Sequence, residues 1–234
     1  MTEQVLLQGE CAPAESVISA TNAAPEAALP NGFVQLGLAP ELVQAVADLG
    51  YTQPTAVQDK AIPLAMGAGA EDGRFIDLMV SSQTGSGKTA AFVLPVLHTL
   101  LRQQAEAEDA QRAEYERAAA EAAARGEAAP KRPKRKNPMQ ARNFKAAVPG
   151  ALVLCPTREL AQQVAHDAID LVKHCKGLRI ANVVGGMPYQ MQIAKLQNAN
   201  LVVATPGRLL DLQRSQQIKL DQVQFLVVDE ADRM

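Results

Sequence analysis

Apolar positions follow two rhythms along the chain. Short, nearly continuous apolar runs at 76–80, 151–155, 180–184, 201–204 and 225–228 read as strands, and stretches of helical period follow each of the first four, the clearest from 159 to 174. Strands without polar alternation are buried on both faces, which is the pattern of a parallel sheet flanked by helices. Upstream, Pro40-Glu41 opens a helix with Leu42, Val46 and Leu49 as its buried stripe and Gly50 as its cap. Pro54-Thr55 starts a second helix carrying Val57, Ala61 and Ile62.

Two segments break this rhythm. Residues 1–31 are rich in Ala, Glu, Pro and Ser without periodicity and read as a disordered tail. From about 102 to 148 the chain is Ala/Glu/Arg-rich and then basic at "PKRPKRKNP". The first half fits a loosely attached, solvated helix of alternating charge. The second half, with Pro130, Pro133 and Pro138, fits an extended, disordered chain. This length exceeds an ordinary helix-to-strand connection and reads as an insertion into a single domain over 32–234.

Composition narrows the class. A 234-residue chain with 47% apolar residues has enough material for one substantial α/β core, while 3% aromatics and no Trp disfavour an aromatic-lined binding module. A formal net charge of −2 gives no global argument for nucleic acid, so any such site is local. Cys11, Cys155 and Cys175 have no CxxC spacing and cannot all pair, which suits a reducing compartment. The N-terminus lacks a signal-peptide pattern and no apolar run reaches transmembrane length, so a soluble, cytoplasmic protein without membrane partners is expected. His98, His166 and His174 show no metal-ligand spacing.

The chemistry concentrates at "SSQTGSGKT", 81–89, between an expected strand and an expected helix. Backbone N–H groups at a helix N-terminus suit a phosphate, because the donors are already aimed and the dipole favours an anion. Gly85 and Gly87 allow close approach, Lys88 would reach the β- and γ-phosphates, and Thr89 would place a hydroxyl on Mg²⁺. A plain Gly/Ser turn is the bland alternative. Val227-Val228-Asp229-Glu230 supplies the expected second half: Asp229 to hold the metal and Glu230 to orient and deprotonate a water.

Asp229-Glu230-Ala231-Asp232 and "TGSGKT" together resemble the DEAD-box RNA helicases, of bacterial type. Further blocks resemble that family in the same order: "GYTQPTAVQ" at 50–58 its Q motif, with Phe33 upstream, "PTRELAQQ" at 156–163 its motif Ia, Gly185-Gly186 its glycine pair and "TPGR" at 205–208 its motif Ib. Ser82 stands where alanine is usual in the family. The resemblance implies a RecA-like P-loop NTPase fold, mostly parallel with helices on both faces, with the Q motif over 31–59.

It further implies ATP and Mg²⁺ as cofactors. Nucleotide contacts would come from Phe33, Tyr51, Gln58, Ser82, Gln83, Thr84, Gly85, Ser86, Gly87, Lys88 and Thr89, metal contacts from Thr89 and Asp229, and catalysis from Lys88 and Glu230. Gln58 would read adenine, since an amide pairs with N6 and N7 of adenine and mismatches guanine, and Phe33 would pack on the base. Pro156, Thr157, Arg158, Gly185, Gly186, Thr205, Pro206, Gly207 and Arg208 would face RNA through its backbone, with little sequence preference. Implied partner classes are RNA itself and ribonucleoprotein, ribosome-assembly or RNA-decay machinery.

The function implied is ATP-dependent unwinding of short RNA duplexes or ribonucleoprotein remodelling. Another P-loop ATPase or small-molecule kinase, and a non-catalytic nucleotide- or RNA-binding module, are the alternatives; a kinase gives no reason for Gln58 or Asp232. The sequence stops at Met234, before the family's Ser-Ala-Thr motif and second RecA-like domain. A fold incomplete at the C-terminus is therefore expected, with the strands at 76–80 and 225–228 lacking a common neighbour and little activity in this chain alone. The basic cluster Lys131 to Lys136 is open to three readings: a solvated loop, an electrostatic tether for RNA, or a nuclear-import segment.

Overall fold

The computed structural model describes residues 31–67, 77–83, 85–125 and 145–234. The tail before Asn31 and the basic cluster at 131–136 lie outside these residues. Four strands, β1 (Ala151–Leu154), β2 (Ile180–Val183), β3 (Leu201–Ala204) and β4 (Phe225–Val228), pair in parallel in the order β2-β3-β1-β4. Among the described residues six α-helices accompany them: α1 (Pro40–Asp48), α2 (Ala56–Ala65), α3 (Lys88–Ala124), α4 (Arg158–Leu171), α5 (Tyr189–Leu196) and α6 (Pro206–Arg214).

Period-two alternation splits the strand side chains between two cores. Ala151, Val153, Leu201 and Val203 point to one face, against α1, α3 and α4 through Leu42, Val93, Leu97, Val164 and Ala168. Leu152, Val202, Ala204 and Val183 point to the other, against Leu196 of α5 and Leu209 and Leu212 of α6. Both faces of β1 and β3 are thereby covered, which is why their sequences are continuously apolar. The expected mostly parallel sheet with helices on both faces is present.

Three expectations are corrected. The run expected as a strand at 76–80 is not one: Ile76 lies outside the described residues, and Asp77–Val80 is irregular and exposed, Met79 at 96%. Apolar residues form a strand only where a neighbour completes the ladder, and β4, not this run, is the edge of the described sheet. Leu49 is not part of the α1 stripe; it follows the last helical residue and is 41% exposed, whereas Leu42 and Val46 are buried as expected. The third concerns the boundary at Arg102. The solvated helix exists, but it continues the helix that begins at Lys88, giving 37 residues and a length of about 55 Å. Ala and Glu favour that continuation, and no Gly or Pro interrupts it after Pro95.

The inner half of α3 buries Val93, Leu94, Val96, Leu97 and Leu100. Beyond them, Gln103 Nε2 donates to Gln224 Oε1 at 2.6 Å and Gln104 Nε2 to the carbonyl of Lys176 at 3.1 Å. In the described segment from 145 onward, Ala147 bridges Ile218 in parallel.

Candidate nucleotide site and sheet-edge surface

Because the four strands run parallel and in register, Leu154, Val183, Ala204 and Val228 end on one edge of the sheet. Every segment that follows a strand therefore emerges on that edge, where doubly wound sheets bind ligands. From one side to the other these are Gly185-Gly186, Thr205-Pro206, Pro156-Thr157 and Asp229-Glu230.

The phosphate loop leads into α3. Gly87 is the residue before its first turn, with φ +82°, and Gly85 has φ +80°. A Cβ on Gly87 would start 2.4 Å from Gln58 Nε2, so both the backbone conformation and the space demand glycine. Lys88 Nζ donates to the Ser82 carbonyl at 2.6 Å, and the Ser82 and Ser86 hydroxyls pair at 2.7 Å. Thr89 is half-buried in the first turn, Gln83 and Gly85 are exposed, and Thr84 lies outside the described residues.

The segment around Thr55 clasps this loop. Thr55 and Gln58 form a reciprocal cap at the start of α2: Gln58 N–H donates to Thr55 Oγ1 and Thr55 N–H to Gln58 Oε1. The same side chains reach the loop, Thr55 Oγ1 donating to the Ser86 carbonyl at 2.9 Å and Gln58 Nε2 to the Gly87 carbonyl at 3.1 Å. Gln58 is 6% exposed, with both ends of its amide engaged by protein. Phe33 is 1% exposed within the hydrophobic core, so in this arrangement it presents no open face for a base; Tyr51 is exposed.

Asp229 continues the β4 ladder, its N–H donating to the Leu154 carbonyl at 2.9 Å. Burial pushes its carboxyl above the ordinary range. The Glu230 N–H, at 3.1 Å from Asp229 Oδ1, works against that, the Glu230 carboxylate adds to it, and the Lys88 ammonium pulls it back. Glu230 adopts the left-handed conformation at φ +48°, which is strained for a residue with a side chain, and its carboxylate meets Arg233 at 3.2 Å. Behind the acids, Cys155 is fully buried, and burial together with Asp229 and Glu230 pushes its thiol up to about 12.

Along the rest of the edge, Thr157 caps α4 by accepting the Leu160 N–H at 3.2 Å, which leaves Arg158 exposed at the first helical position. Arg158 lies over the glycine pair: a Cβ on Gly186, itself at φ +81°, would start 2.5 Å from Arg158 Nη1. Thr205 precedes α6, Pro206 occupies its first position and Gly207 has open space around it. The Arg208 guanidinium sits over the Tyr189 ring, 5.8 Å from its centroid.

The segments expected to face RNA, together with Asp229 and Glu230, thus follow strands that end on one edge of the sheet, while Thr55 and Gln58 are joined to the glycine loop. Sequence reasoning missed three supports. Thr55 holds the loop, and an ST-cap signal before α2 marks it. Tyr189 carries Arg208 and hydrogen-bonds Ser215 through its hydroxyl. Gln192, fully buried, donates to the Val184 carbonyl at 2.6 Å and fixes the turn after β2. The Tyr189 contacts join α5 to α6 and the residue after it, 19 and 26 positions on, and leave no local mark; the Gln192 bond is local, spanning eight residues, but depends on how the turn closes. Among the described residues no cluster of three His, Cys, Asp or Glu could enclose a metal.

Comparison with known proteins places this geometry. The model of the DEAD/DEAH box helicase family matches residues 55–234. The chain is 39% identical over 203 residues to the ATP-dependent RNA helicase SrmB of Haemophilus influenzae, covering 86% of this chain and 36% of SrmB. It is 38% identical over 206 residues to DEAD-box ATP-dependent RNA helicase 52A of Oryza sativa subsp. japonica, covering 87% and 28%. The chain spans about a quarter to a third of the length of such curated relatives. Among solved structures, a DEAD box protein from Methanococcus jannaschii matches with TM-score 0.59 and 30% identity over 87% of this chain and 42% of that one. Saccharomyces cerevisiae Dbp5 bound to RNA and ADP BeF3 matches with TM-score 0.59 and 29% identity, over 87% and 39%.

Proposed function

This chain belongs to the DEAD/DEAH box helicase family, and on that premise we propose that it is the ATP-binding part of an ATP-dependent RNA helicase. The observation that carries the reading is the glycine loop that opens α3, with Gly87 at φ +82° and Lys88 as the first helical residue, in a chain whose β4 runs directly into Asp229. A cation on a phosphate loop, in a chain with a carboxylate at a strand end, suits a nucleoside triphosphate with its divalent metal.

The loop fits a phosphate, since Gly87 holds a left-handed conformation that residues with side chains rarely adopt and α3 starts immediately after it. In this proposal Gly85, Ser86, Gly87 and Lys88 hold the phosphates, Thr89 and Asp229 hold Mg²⁺, and Gln58 selects adenine. Bound Mg²⁺ would neutralise charge on the phosphates. Glu230 accepts the proton of the attacking water on its carboxylate, for which it must leave Arg233. Gln58 must likewise release the Gly87 carbonyl to reach a base.

RNA is the proposed polymer substrate, running along the edge formed by Pro156, Thr157, Arg158, Gly185, Gly186, Thr205, Pro206, Gly207 and Arg208. Hydroxyls, helix N-termini and arginines read phosphates and riboses rather than base edges, so little sequence preference is expected. Among the described residues no helix is long and apolar enough to cross a membrane, and a cytoplasmic place of action is part of the proposal. Titration with a fluorescent ADP analogue and Mg²⁺ tests it directly. Binding that Lys88→Ala weakens tenfold or more supports the assignment, and equal binding by both proteins removes it.

A further inference from the structure

We propose that Ser82 is an affinity-setting residue of the nucleotide site: its hydroxyl, paired with Ser86, latches the phosphate loop shut and lowers nucleotide affinity. The inference rests on the loop being a phosphate site, as argued above. Ser82 is also where the chain departs from the family it resembles, with a hydroxyl in place of a methyl.

Two features of the loop converge on this residue. The Ser82 hydroxyl pairs with the Ser86 hydroxyl at 2.7 Å, and the Ser82 carbonyl accepts from Lys88 Nζ at 2.6 Å. Residue 82 therefore ties down two groups a phosphate would recruit, the ammonium and the loop hydroxyl. Ser86 is held from behind as well, its carbonyl accepting from Thr55 Oγ1 at 2.9 Å. The Ser82–Ser86 pair is the only one of these contacts that depends on a side chain at position 82. Alanine there would keep the carbonyl for Lys88 and release Ser86 alone.

The consequence is thermodynamic. A ligand that binds only the open loop has an apparent dissociation constant equal to the intrinsic one divided by the open fraction. A half-buried hydroxyl pair at this distance contributes a net stabilisation that corresponds to about two- to tenfold in a binding constant. The alternative role for the Ser82 hydroxyl, donation to a bound phosphate, predicts the opposite sign on removal.

The test uses the 234-residue chain, the fluorescent ADP analogue with Mg²⁺, and hydrogen exchange of the peptide spanning the loop without nucleotide. Ser82→Ala is expected to tighten binding by about two- to tenfold and to speed exchange of the loop amides. In a Ser86→Ala background, Ser82→Ala should have no further effect, because the pair is already broken. Unchanged or weaker binding by Ser82→Ala overturns the latch, as does unchanged exchange. The Lys88→Ala control separates the two readings. If it does not weaken binding, the phosphate assignment fails, while the exchange measurement still decides whether Ser82 closes the loop.

Discussion

Gln58 Nε2 donates to the carbonyl of Gly87 across 29 residues of sequence, joining the first turn of α2 to the residue that opens α3. The same amide accepts from the Thr55 N–H, so one buried side chain serves as helix cap and loop clasp. Gln58→Ala should therefore do two things. Loss of the cap and of the buried bond should cost about 1–2 kcal/mol of stability, or roughly 2–8 °C in Tm for a domain of this size. It should also erode any preference for ATP over GTP. Equal ATP and GTP affinities in the unmutated protein would take Gln58 out of base recognition and leave it a structural residue.

Gly87 makes the complementary prediction. Alanine there is forced into φ +82° with its Cβ 2.4 Å from Gln58 Nε2. Gly87→Ala should weaken binding of the fluorescent ADP analogue by about tenfold through the backbone conformation alone. In a Gln58→Ala background the collision disappears but the backbone strain, about 1–2 kcal/mol, remains. Partial recovery of binding in the double variant is the expected reading, and full recovery would mean that the conformation at residue 87 is not the constraint.

The acid at the end of β4 carries a stability cost. Burial, the largest influence, raises the Asp229 carboxyl above its unfolded value near 3.8. A raised folded value means that the folded state is favoured below the unfolded value and loses that advantage as pH climbs through the folded one. At pH 7 the ionised carboxylate is therefore destabilising. Asp229→Asn should raise Tm at neutral pH, and the gain should vanish toward pH 3. The same variant should lose Mg²⁺-dependent enhancement of nucleotide binding. A Tm that falls at pH 7 would show that the carboxylate is better solvated than its position indicates.

How far the sequence reached can be judged element by element. The strands at 151–154, 180–183 and 201–204 were legible because their apolar runs are largely buried in the βα pattern, and 225–228 because its run is apolar throughout, although Leu226 and Val228 are exposed. The run at 76–80 has the same composition yet stays irregular over its described part, since composition cannot supply a ladder partner. The candidate site was legible as residue types and not as contacts. Lys88 and Asp229 could be named from their motifs, whereas the bonds of Gln58 to Gly87 and of Ser82 to Ser86 depend on how the loop closes. Phe33 illustrates the limit: an isolated aromatic suits a base, but the structure gives its ring to the core.

Tyr189 should act on RNA binding through Arg208. The ring holds the guanidinium at 5.8 Å, and its hydroxyl anchors to Ser215, which is fixed by the Asp211 carbonyl. A partly exposed pairing of this kind is worth about 0.5–1 kcal/mol. Tyr189→Leu should weaken binding of single-stranded RNA at low salt by about two- to fivefold, and Tyr189→Phe, which keeps the ring, should recover most of it. Combined with Arg208→Ala, the loss from Tyr189→Leu should disappear. Additive losses in that cycle would separate the two residues.

The outer face of β4 yields the sharpest contrast in stability. Leu201 and Leu226 are both strand leucines paired through the same sheet, Leu201 with Ala151 of β1 and Leu226 with Leu152. Leu201 is fully enclosed at 1% exposure, whereas Leu226 is 61% exposed, and Val228 beside it is open too. Enclosure decides the cost of truncation, because only a buried side chain leaves a cavity. Leu201→Ala should cost about 2–5 kcal/mol, and Leu226→Ala no more than about 0.5 kcal/mol. Exposed apolar groups on an edge strand also invite association between chains, all the more with Leu78, Met79 and Val80 exposed. Leu226→Lys should therefore raise the concentration at which the 234-residue chain stays monomeric in sedimentation, with little change in Tm. A loss from Leu226→Ala as large as that from Leu201→Ala would show that this face is covered in solution.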